Sequence, residues 1–264
     1  SMPLKRDTNR LIFGGTMLQV RNERGTLVYS RIKSKEASEK IVYNTLTVPV
    51  RERFQLVLAD GTKVFLNSGS EMRYPERFGK ARREVFLKGE AWFEVAKDSA
   101  REFWVHAGAM DVKVLGTSFN VKAYERLETV ATTLVEGSVE VACAGKSFQI
   151  VPGEQFVYDK NNRVMDVRMV DTESYVSWKD GYYKFRQTTL EEIMETLSVW
   201  YGLNVFYVNE SAKQVEFTGK VKRYEDARML LDKFEQTGDV VYDIKGNNVF
   251  ITIKQKKPFA REWN

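Results

Sequence analysis

The sequence predicts a mainly β protein in two parts, a long all-β region followed by a small α+β domain. From about residue 11 to 170, apolar and polar residues alternate, proline is sparse and turn signals recur. After residue 182, two stretches instead show the 3.6-residue period of amphipathic helices. A chain of 264 residues that is 43% hydrophobic and 12% aromatic can bury a large core, which excludes a disordered protein.

Hairpin and glycine signals organise the β region. Asp60-Gly61 separates the apolar runs 54–58 and 63–66, which is a strong hairpin signal. A short apolar pair, a glycine and then alternating residues recur, and the glycines of this pattern are Gly89, Gly116, Gly137 and Gly153. Glycine within a strand indicates a bulge or a tight corner. A sheet that folds over itself, as an elongated sandwich or an irregular solenoid, needs such corners. An ordinary sandwich with coincidental glycines fits the pattern equally well.

The change of period sets the expected domain boundaries. They give an all-β domain at 1–171, a linker at 172–181, a small domain at 182–254 and a charged tail at 255–264. The strand pattern is weaker over residues 1–40, which we expect to complete the β domain.

The small domain reads as β-α-β-β-α-β with a final strand added. A strand at 182–185 precedes a helix whose start is marked by two overlapping capping boxes, Thr188 with Glu191 and Thr189 with Glu192. Apolar residues from 190 to 201 share one helical face, and Gly202 stands where a helix ends. The later elements are strands at 203–208 and 215–221, a helix through 227–234, and strands at 240–244 and 249–253. Two helices on one face of a small sheet are the simplest arrangement.

Residue counts exclude several kinds of catalytic and metal site. The chain has one histidine, His106, and one cysteine, Cys143, which excludes HExxH zinc sites, multi-cysteine zinc sites and intramolecular disulfides. His106 shares a strand face with Trp104 and is predicted to be structural, while Cys143 is predicted to be a small buried hydrophobe. With no phosphate-binding loop either, we predict no catalytic residue, no cofactor and no metal site.

Net charge and hydropathy further restrict the classes of protein to which this chain can belong. A formal net charge of +5 is small for this chain and does not indicate nucleic-acid binding. No apolar run approaches the roughly 18 residues of a membrane helix. Arg83 belongs to a short basic cluster with Lys80 and Arg82 that we predict to be an exposed hairpin tip. Glu90 and the other acidic residues near glycines are predicted to be turn or surface residues.

An ordered series of motifs resembles the FecR family of anti-sigma factors. The motifs are LADGTKVFLNSGS at 58–70, RYPERF at 73–78, REVFLKGEAWFEV at 83–95, VLGTSFNV at 114–121, LVEGSV at 134–139 and VPGEQ at 151–155. The part from WKDG at 178–181 through WY at 200–201 is similar to the C-terminal domain of FecR-like proteins of the Bacteroidetes. That domain is similar in turn to the secretin and TonB short N-terminal domain. The resemblance covers roughly residues 41–254 and is strongest over 41–160.

The resemblance implies a single-pass regulator of the inner membrane. In this family a cytoplasmic segment binds an extracytoplasmic-function sigma factor, and a periplasmic region receives a signal from a TonB-dependent outer-membrane transporter. We find neither the cytoplasmic segment nor the membrane helix in this sequence. The chain is therefore expected to be the periplasmic sensor region, with the transporter's N-terminal signalling domain as its partner and no nucleic-acid partner.

Strand edges in the small domain are the predicted docking points. A partner can add a strand to an exposed edge by β-augmentation, and 182–185 and 215–221 are the candidate strands. The candidate contact residues are Tyr183, Phe185, Phe217, Gly219 and Val221. The competing interpretation is that both strands are central and already paired.

A carbohydrate-binding or carbohydrate-acting protein of the cell envelope is the alternative function. Trp92 and Trp104 in the β region could stack on sugar rings. Large aromatic side chains are also the usual occupants of a core, which is the competing explanation for both.

Overall fold

The chain divides into two compact units at Asp180/Gly181. The computed structural model describes residues 10–14, 18–23, 26–31, 41–223 and 226–254. The charged tail predicted at 255–264 lies outside these residues. Each unit is described by itself below.

The first unit consists of strands and ends in two short helical turns. Its strands are β1 (Arg10–Gly14), β2 (Leu18–Glu23), β3 (Thr26–Arg31), β4 (Tyr43–Thr47), β5 (Phe54–Val57), β6 (Lys63–Leu66), β7 (Glu71–Pro75), β8 (Arg83–Glu94), β9 (Phe103–Ala107), β10 (Met110–Val114), β11 (Ser118–Ala123), β12 (Thr129–Glu136), β13 (Val139–Cys143), β14 (Lys146–Ile150), β15 (Glu154–Asp159) and β16 (Val164–Met169). The stretch predicted as a linker contains helix α1 (Glu173–Val176) and a 3₁₀ turn (Ser177–Asp180), both within the first unit.

Strand β8 joins two sheets. Its first half pairs with β7 and β9, and its second half pairs with β6 and β11. From β8, one sheet continues through β11, β12 and β15 to β16, and the other through β9, β10 and β13 to β14. Gly89 lies between the two halves with a φ of 111°, a conformation that side-chain-bearing residues rarely adopt. The glycine corner predicted here is therefore confirmed.

The two sheets enclose one hydrophobic core. Fully buried residues come from both, including Phe93 and Phe119 on one side and Val105 and Val112 on the other. Strands β9, β10 and β13 alternate strictly between buried and half-buried positions, as expected when one face covers a core. The predicted sheet that folds over itself is confirmed.

Arg83 contradicts its prediction as an exposed hairpin tip, because its side chain is fully buried. It begins β8 on the face that also carries Val85 and Leu87, so strand alternation directs it inward. The guanidinium is held there by the Asp60 carboxylate, with Nη1 at 2.8 Å from Oδ2. A buried charge needs such a partner, and the partner is distant in sequence.

The second unit has the predicted order of elements. They are β17 (Tyr182–Thr189), α2 (Leu190–Tyr201), β18 (Asn204–Tyr207), β19 (Glu216–Lys222), α3 (Arg228–Gln236), β20 (Val240–Lys245) and β21 (Asn248–Ile253), with a 3₁₀ turn (Glu210–Gln214) before β19. Of the two predicted starts of α2 the structure has the one at Thr189, and the predicted end at Gly202 is confirmed. The Glu192 N–H donates to Thr189 Oγ1 at 3.3 Å, and Gly202 takes the left-handed conformation with φ 69°.

The strands of this unit form two sheets, so the single sheet expected from the sequence is wrong. β17 pairs with β19, while β18 and β20 both pair with β21. The physical reason lies in α2, which buries Val199 on the side opposite its main stripe of Leu190, Ile193 and Leu197. A helix that is apolar on more than one face needs cover on more than one side. In agreement, α2 contacts a strand of each sheet, β17 and β18.

Candidate partner-binding site

The five predicted contact residues lie in one antiparallel sheet formed by β17 and β19. Tyr183 is opposite Val221, Phe185 is opposite Gly219, and Phe217 follows across a bulge. Strands 182–185 and 215–221, proposed separately from the sequence, are therefore direct neighbours.

The inner face of this sheet is part of the core. The side chains of Tyr183, Phe185 and Phe217 are buried. The ring of Phe234 on α3 lies 4.8 Å from that of Phe217 and 6.3 Å from that of Phe185, measured between centroids. These aromatic groups hold the sheet against the helix. A partner would therefore meet the backbone of these strands and the outer face, and the contact residues themselves stay a prediction.

Both strands of this sheet are edge strands within the part of the chain that the structure describes. The Arg223 N–H donates to the Gly181 carbonyl at 3.1 Å, so these two opposite residues are a hydrogen-bonded pair. In an antiparallel ladder such pairs alternate with pairs whose backbone N–H and C=O groups point away from the partner strand. The N–H and C=O groups of Thr218 and Lys222 consequently point to the outer edge of β19. The alternative that both strands are central and already paired is wrong in its first part, because each is an edge strand among the described residues, and right in its second, because the two are paired with each other.

A bulge ends the regular part of the ladder. Arg186 and Gln187 are inserted opposite Thr218, and Gln187 has a φ of 46°. The Gln187 N–H donates to Thr218 Oγ1 at 2.9 Å, and the Arg186 N–H donates to Thr188 Oγ1 at 3.0 Å. Threonine side chains thus accept hydrogen bonds from the two amides that the bulge removes from the ladder. The bulge is therefore one end of the candidate site.

The outer face carries Tyr182, Lys184, Lys220 and Lys222. Lys220 Nζ lies 3.8 Å from the centroid of the Tyr182 ring, a cation–π contact across the strands. Lys184 and Lys220 are directly opposite each other. They form a pair without mutual backbone hydrogen bonds, the type in which side chains approach most closely.

A second polar cluster, in the first unit, surrounds Glu90. Asn67 Nδ2 donates to Glu90 Oε2 at 2.8 Å and Asn120 Nδ2 donates to Oε1 at 2.9 Å. Glu90 is buried, so its prediction as a turn or surface residue is wrong. It follows Gly89 in the part of β8 where the strand passes between sheets, and both of its faces are covered there. Burial raises the pKa of the Glu90 carboxyl above 4.5, against the opposing effects of Lys122 and the two amides.

Trp178 ties the last turn of the first unit to this cluster. Its Nε1–H donates to Asn120 Oδ1 at 3.2 Å, and its side chain is buried. The Arg53 guanidinium donates to the carbonyl of the next residue, Lys179. Sequence reasoning missed this role, although a tryptophan within a predicted linker is a signal of anchoring.

The raised pKa of Glu90 predicts a pH dependence of stability. Because the folded state holds the proton more tightly than the unfolded state, the stabilisation is complete below pH 4.5 and is lost as pH rises through the folded pKa. Urea unfolding between about pH 4 and pH 8 should show this decrease in the free energy of unfolding, and Glu90→Gln should remove it. Glu125→Gln, at a side chain that is 78% exposed, is the control and should keep it. Equal pH profiles for the two variants would contradict the assignment.

His106 and the tryptophans contact neighbouring side chains. His106 Nδ1 lies 2.7 Å from Asp111 Oδ1, and its ring stacks at 4.9 Å on Phe86. Trp104 stacks beside His106 at 6.2 Å, with Lys113 Nζ 5.7 Å from its ring centroid. Trp92 is buried. The competing explanation as a core residue therefore holds for Trp92, whereas Trp104 is half-buried. Cys143 is buried as predicted.

No group of three or more histidine, cysteine or acidic side chains among the described residues could hold a metal ion. Over the same residues, no helix has the length and hydropathy to cross a membrane. A surface cavity of about 200 Å³ in the first unit is lined by charged residues of both signs, among them Lys63 and Glu94, whose Nζ and Oε2 atoms lie 3.7 Å apart.

Comparisons with known proteins agree with this architecture. Residues 44–140 match the family model of the FecR protein, and residues 182–251 match that of the FecR C-terminal domain. Two crystal structures of a candidate anti-sigma factor from Parabacteroides distasonis ATCC 8503, at 1.65 and 2.50 Å resolution, are similar to this chain. Each has a TM-score of 0.73 and 28% identity, and the match covers 81% of this chain and 100% of that one. No curated protein matches significantly.

The two family models together span most of the chain, and each falls within one structural unit. The chain therefore belongs to the FecR family of anti-sigma factors, a regulatory class of signal-transducing proteins.

Proposed function

We propose that this chain is the periplasmic part of a membrane-anchored anti-sigma factor. It relays a signal from a TonB-dependent outer-membrane transporter to an extracytoplasmic-function sigma factor. Family membership supports the regulatory role. The observation that carries the docking step is the two-stranded sheet of β17 and β19, to whose outer edges no strand pairs in the part of the chain that the structure describes.

In this proposal the signalling domain of the transporter docks on the second unit through a strand edge. Backbone groups of β19 that point outward supply hydrogen-bond donors and acceptors for an added strand. The sheet needs no rearrangement to receive it, because its inner face is held by aromatic packing on Phe234. Docking is therefore expected to use a preformed surface.

A direct binding experiment tests the proposed partner. The isolated signalling domain of every such transporter encoded by the source bacterium is titrated into this chain by calorimetry. A pull-down from an envelope extract with the chain as bait, read by mass spectrometry, is the parallel measurement. One signalling domain should bind and its transporter should be enriched. No heat with any domain, together with enrichment of unrelated enzymes, would overturn the proposal.

Thr218→Pro is predicted to weaken that complex at least about tenfold, because proline removes an N–H that points to the outer edge and places its ring there. The substitution leaves the ladder with β17 intact, since this N–H is not part of it. Thr218→Ala is the matched control. It loses the same hydroxyl contact with Gln187 but keeps the N–H, so its affinity should stay close to that of the unchanged chain. Calorimetry measures both, and equal losses would contradict docking at this edge.

A further inference from the structure

The first unit ends in a short segment, residues 171–180, that we call the strap. It contains α1 and the 3₁₀ turn that follows, and the second unit begins directly after it at Gly181. None of the four residues of α1 is buried. The buried residues of the strap are Ser177 and Trp178, both in the 3₁₀ turn. The strap therefore enters the interior of the first unit only at this turn.

Trp178 fastens the strap to the strands of the first unit. Its side chain is 4% exposed, and its Nε1–H donates to Asn120 Oδ1 at 3.2 Å. The Nδ2 atom of the same asparagine donates to Glu90 Oε1, so the docked strap completes the hydrogen bonding of a buried amide. A buried acceptor that loses its donor costs free energy. Release of the strap is thus opposed both by exposure of the indole ring and by this lost bond.

Two hydroxyl groups act in the opposite direction. The Oγ atoms of Ser174 and Ser177 are buried and have no hydrogen-bond partner among the described residues. Water would solvate both hydroxyls in a released strap, so the docked state carries the cost of their desolvation. A segment that had only to close the core permanently would gain nothing from either hydroxyl. The strap is therefore held by one strong anchor and weakened at two neighbouring positions.

A released strap would not keep its helical turns. A helix of four residues is unstable in water without tertiary packing. Within the docked strap, the N–H groups of Ser174 and Tyr175 each donate at 3.0 Å, to the carbonyls of Asp171 and Thr172. These bonds open when the strap leaves the first unit. Hydrogen exchange of the two amides consequently measures release.

We propose that the strap alternates between a docked and a released state while the strands of the first unit stay folded. Trp178 stabilises the docked state, and the hydroxyls of Ser174 and Ser177 favour the released one. The released residues 171–180 can extend over at most about 33–36 Å, so release lengthens the covalent connection to Gly181. The inference goes beyond the proposed function and does not depend on which partner the second unit binds.

A permanent closure of the core is the competing interpretation of Trp178, because large buried aromatic side chains often serve packing alone. A permanent closure opens only when the whole unit unfolds. The amides of the strap and of the strands would then be equally protected, and urea would affect them equally. A strap that is released by itself exposes little surface, so its exchange is faster and depends weakly on urea.

Native-state hydrogen exchange of the full ¹⁵N-labelled chain distinguishes the two interpretations. The amides of Ser174, Tyr175 and Ser177 report on the strap, and the paired amides of β11 and β12 report on the strands. The strap amides should be at least about a hundredfold less protected than the most protected amides of these strands. Low concentrations of urea should narrow this difference, because they accelerate exchange in the strands and leave the strap nearly unchanged.

Two substitutions should shift the strap in opposite directions. Trp178→Phe removes the donor to Asn120 and should speed exchange of the strap amides at least about tenfold. Ser177→Ala removes a buried hydroxyl without a partner and should slow it about tenfold. Ser99→Ala is the matched control, because Ser99 is exposed and lies outside the strap, and its strap amides should exchange as in the unchanged chain. The amide spectrum of each variant shows whether the strands remain folded.

Equal protection of strap and strands, or an equal response to urea, would overturn the proposal. So would strap amides that exchange in the Ser177→Ala chain as fast as in the Ser99→Ala chain, or faster, since the hydroxyl would then not weaken docking. Unchanged exchange in Trp178→Phe would refute the tryptophan as the anchor. These outcomes are independent of the transporter panel, because the chain is measured alone.

Discussion

Arg83→Met is expected to lower the free energy of unfolding of the first unit by about 3–5 kcal/mol, the usual cost of removing one partner of a buried ion pair. The Arg83 side chain is fully buried, and that of Asp60 is 6% exposed. Nη1 donates to the Ala96 carbonyl at 2.8 Å and Nη2 to the Arg101 carbonyl at 2.9 Å. The substitution leaves a buried carboxylate and two carbonyl groups without these donors. Urea unfolding, followed by amide exchange in β6 and β8, measures the loss.

The neighbouring residue supplies the control for this prediction. Arg82→Met removes the same charge from a side chain that is 54% exposed and pairs with Glu84 at 3.1 Å, so its cost should stay below about 1 kcal/mol. Adding Asp60→Asn to Arg83→Met should recover part of the loss, because the buried charge then disappears. Similar losses for Arg82→Met and Arg83→Met would refute a structural role for the buried pair.

Gly89→Ala is expected to destabilise the first unit by about 2–5 kcal/mol, through backbone strain and a steric clash together. Gly89 has a φ of 111°, which alanine tolerates poorly. A Cβ atom there would lie 2.7 Å from the Cα of Ser70. Ser70 Oγ accepts from the Glu90 N–H at 2.8 Å and donates to the Glu90 carbonyl at 3.1 Å. Displacing Ser70 therefore also disturbs the backbone of β8, and thermal and urea unfolding report the change.

Gly108→Ala measures the cost of backbone strain in the absence of a steric clash. Gly108 also has a positive φ, of 62°, but a Cβ there would meet nothing within 4 Å. The free energy of unfolding should fall by only about 1–2 kcal/mol, which is the cost of placing alanine in the left-handed backbone conformation. A clearly larger loss at Gly89 would establish the close approach to Ser70. Equal losses at the two glycines would mean that the strands at this corner move apart without cost.

Local signals in the sequence predicted the parts of the fold that depend on neighbouring residues. Asp60-Gly61 predicted the β5–β6 hairpin, and the structure pairs Phe54 with Leu66 across that turn. The overlapping capping boxes at Thr188 and Thr189 predicted the start of α2 to within one residue, and Gly202 predicted its end. Hairpins and helix caps are decided within a few residues, so a single sequence contains enough information for them.

Parts that depend on distant partners were not predictable in the same way. Arg83 stands among exposed charges in the sequence, and only the packing of Asp60 and the 96–101 segment around it makes it a core residue. Glu90 is held by two asparagines that are distant in sequence, Asn67 in the loop after β6 and Asn120 in β11. At the candidate partner-binding site, the two strands were identifiable as strands, whereas their mutual pairing and the position of Lys184 opposite Lys220 were not. Each of these outcomes requires knowing which strands meet, and alternation within one strand does not specify it.

The sharing of β8 between two sheets has a kinetic consequence. Its neighbours β6, β7, β9 and β11 come from both sides of it in the chain, so its pairings close several loops of different length. Neither sheet can reach its native strand order before this central strand is in place. We therefore expect the first unit to fold late and cooperatively, on a timescale of about milliseconds to seconds, as proteins of high contact order do. A newly synthesised chain would accordingly expose unpaired strand edges for longer than a helical protein of the same size, which makes the charged side chains on its outer strands useful before folding is complete.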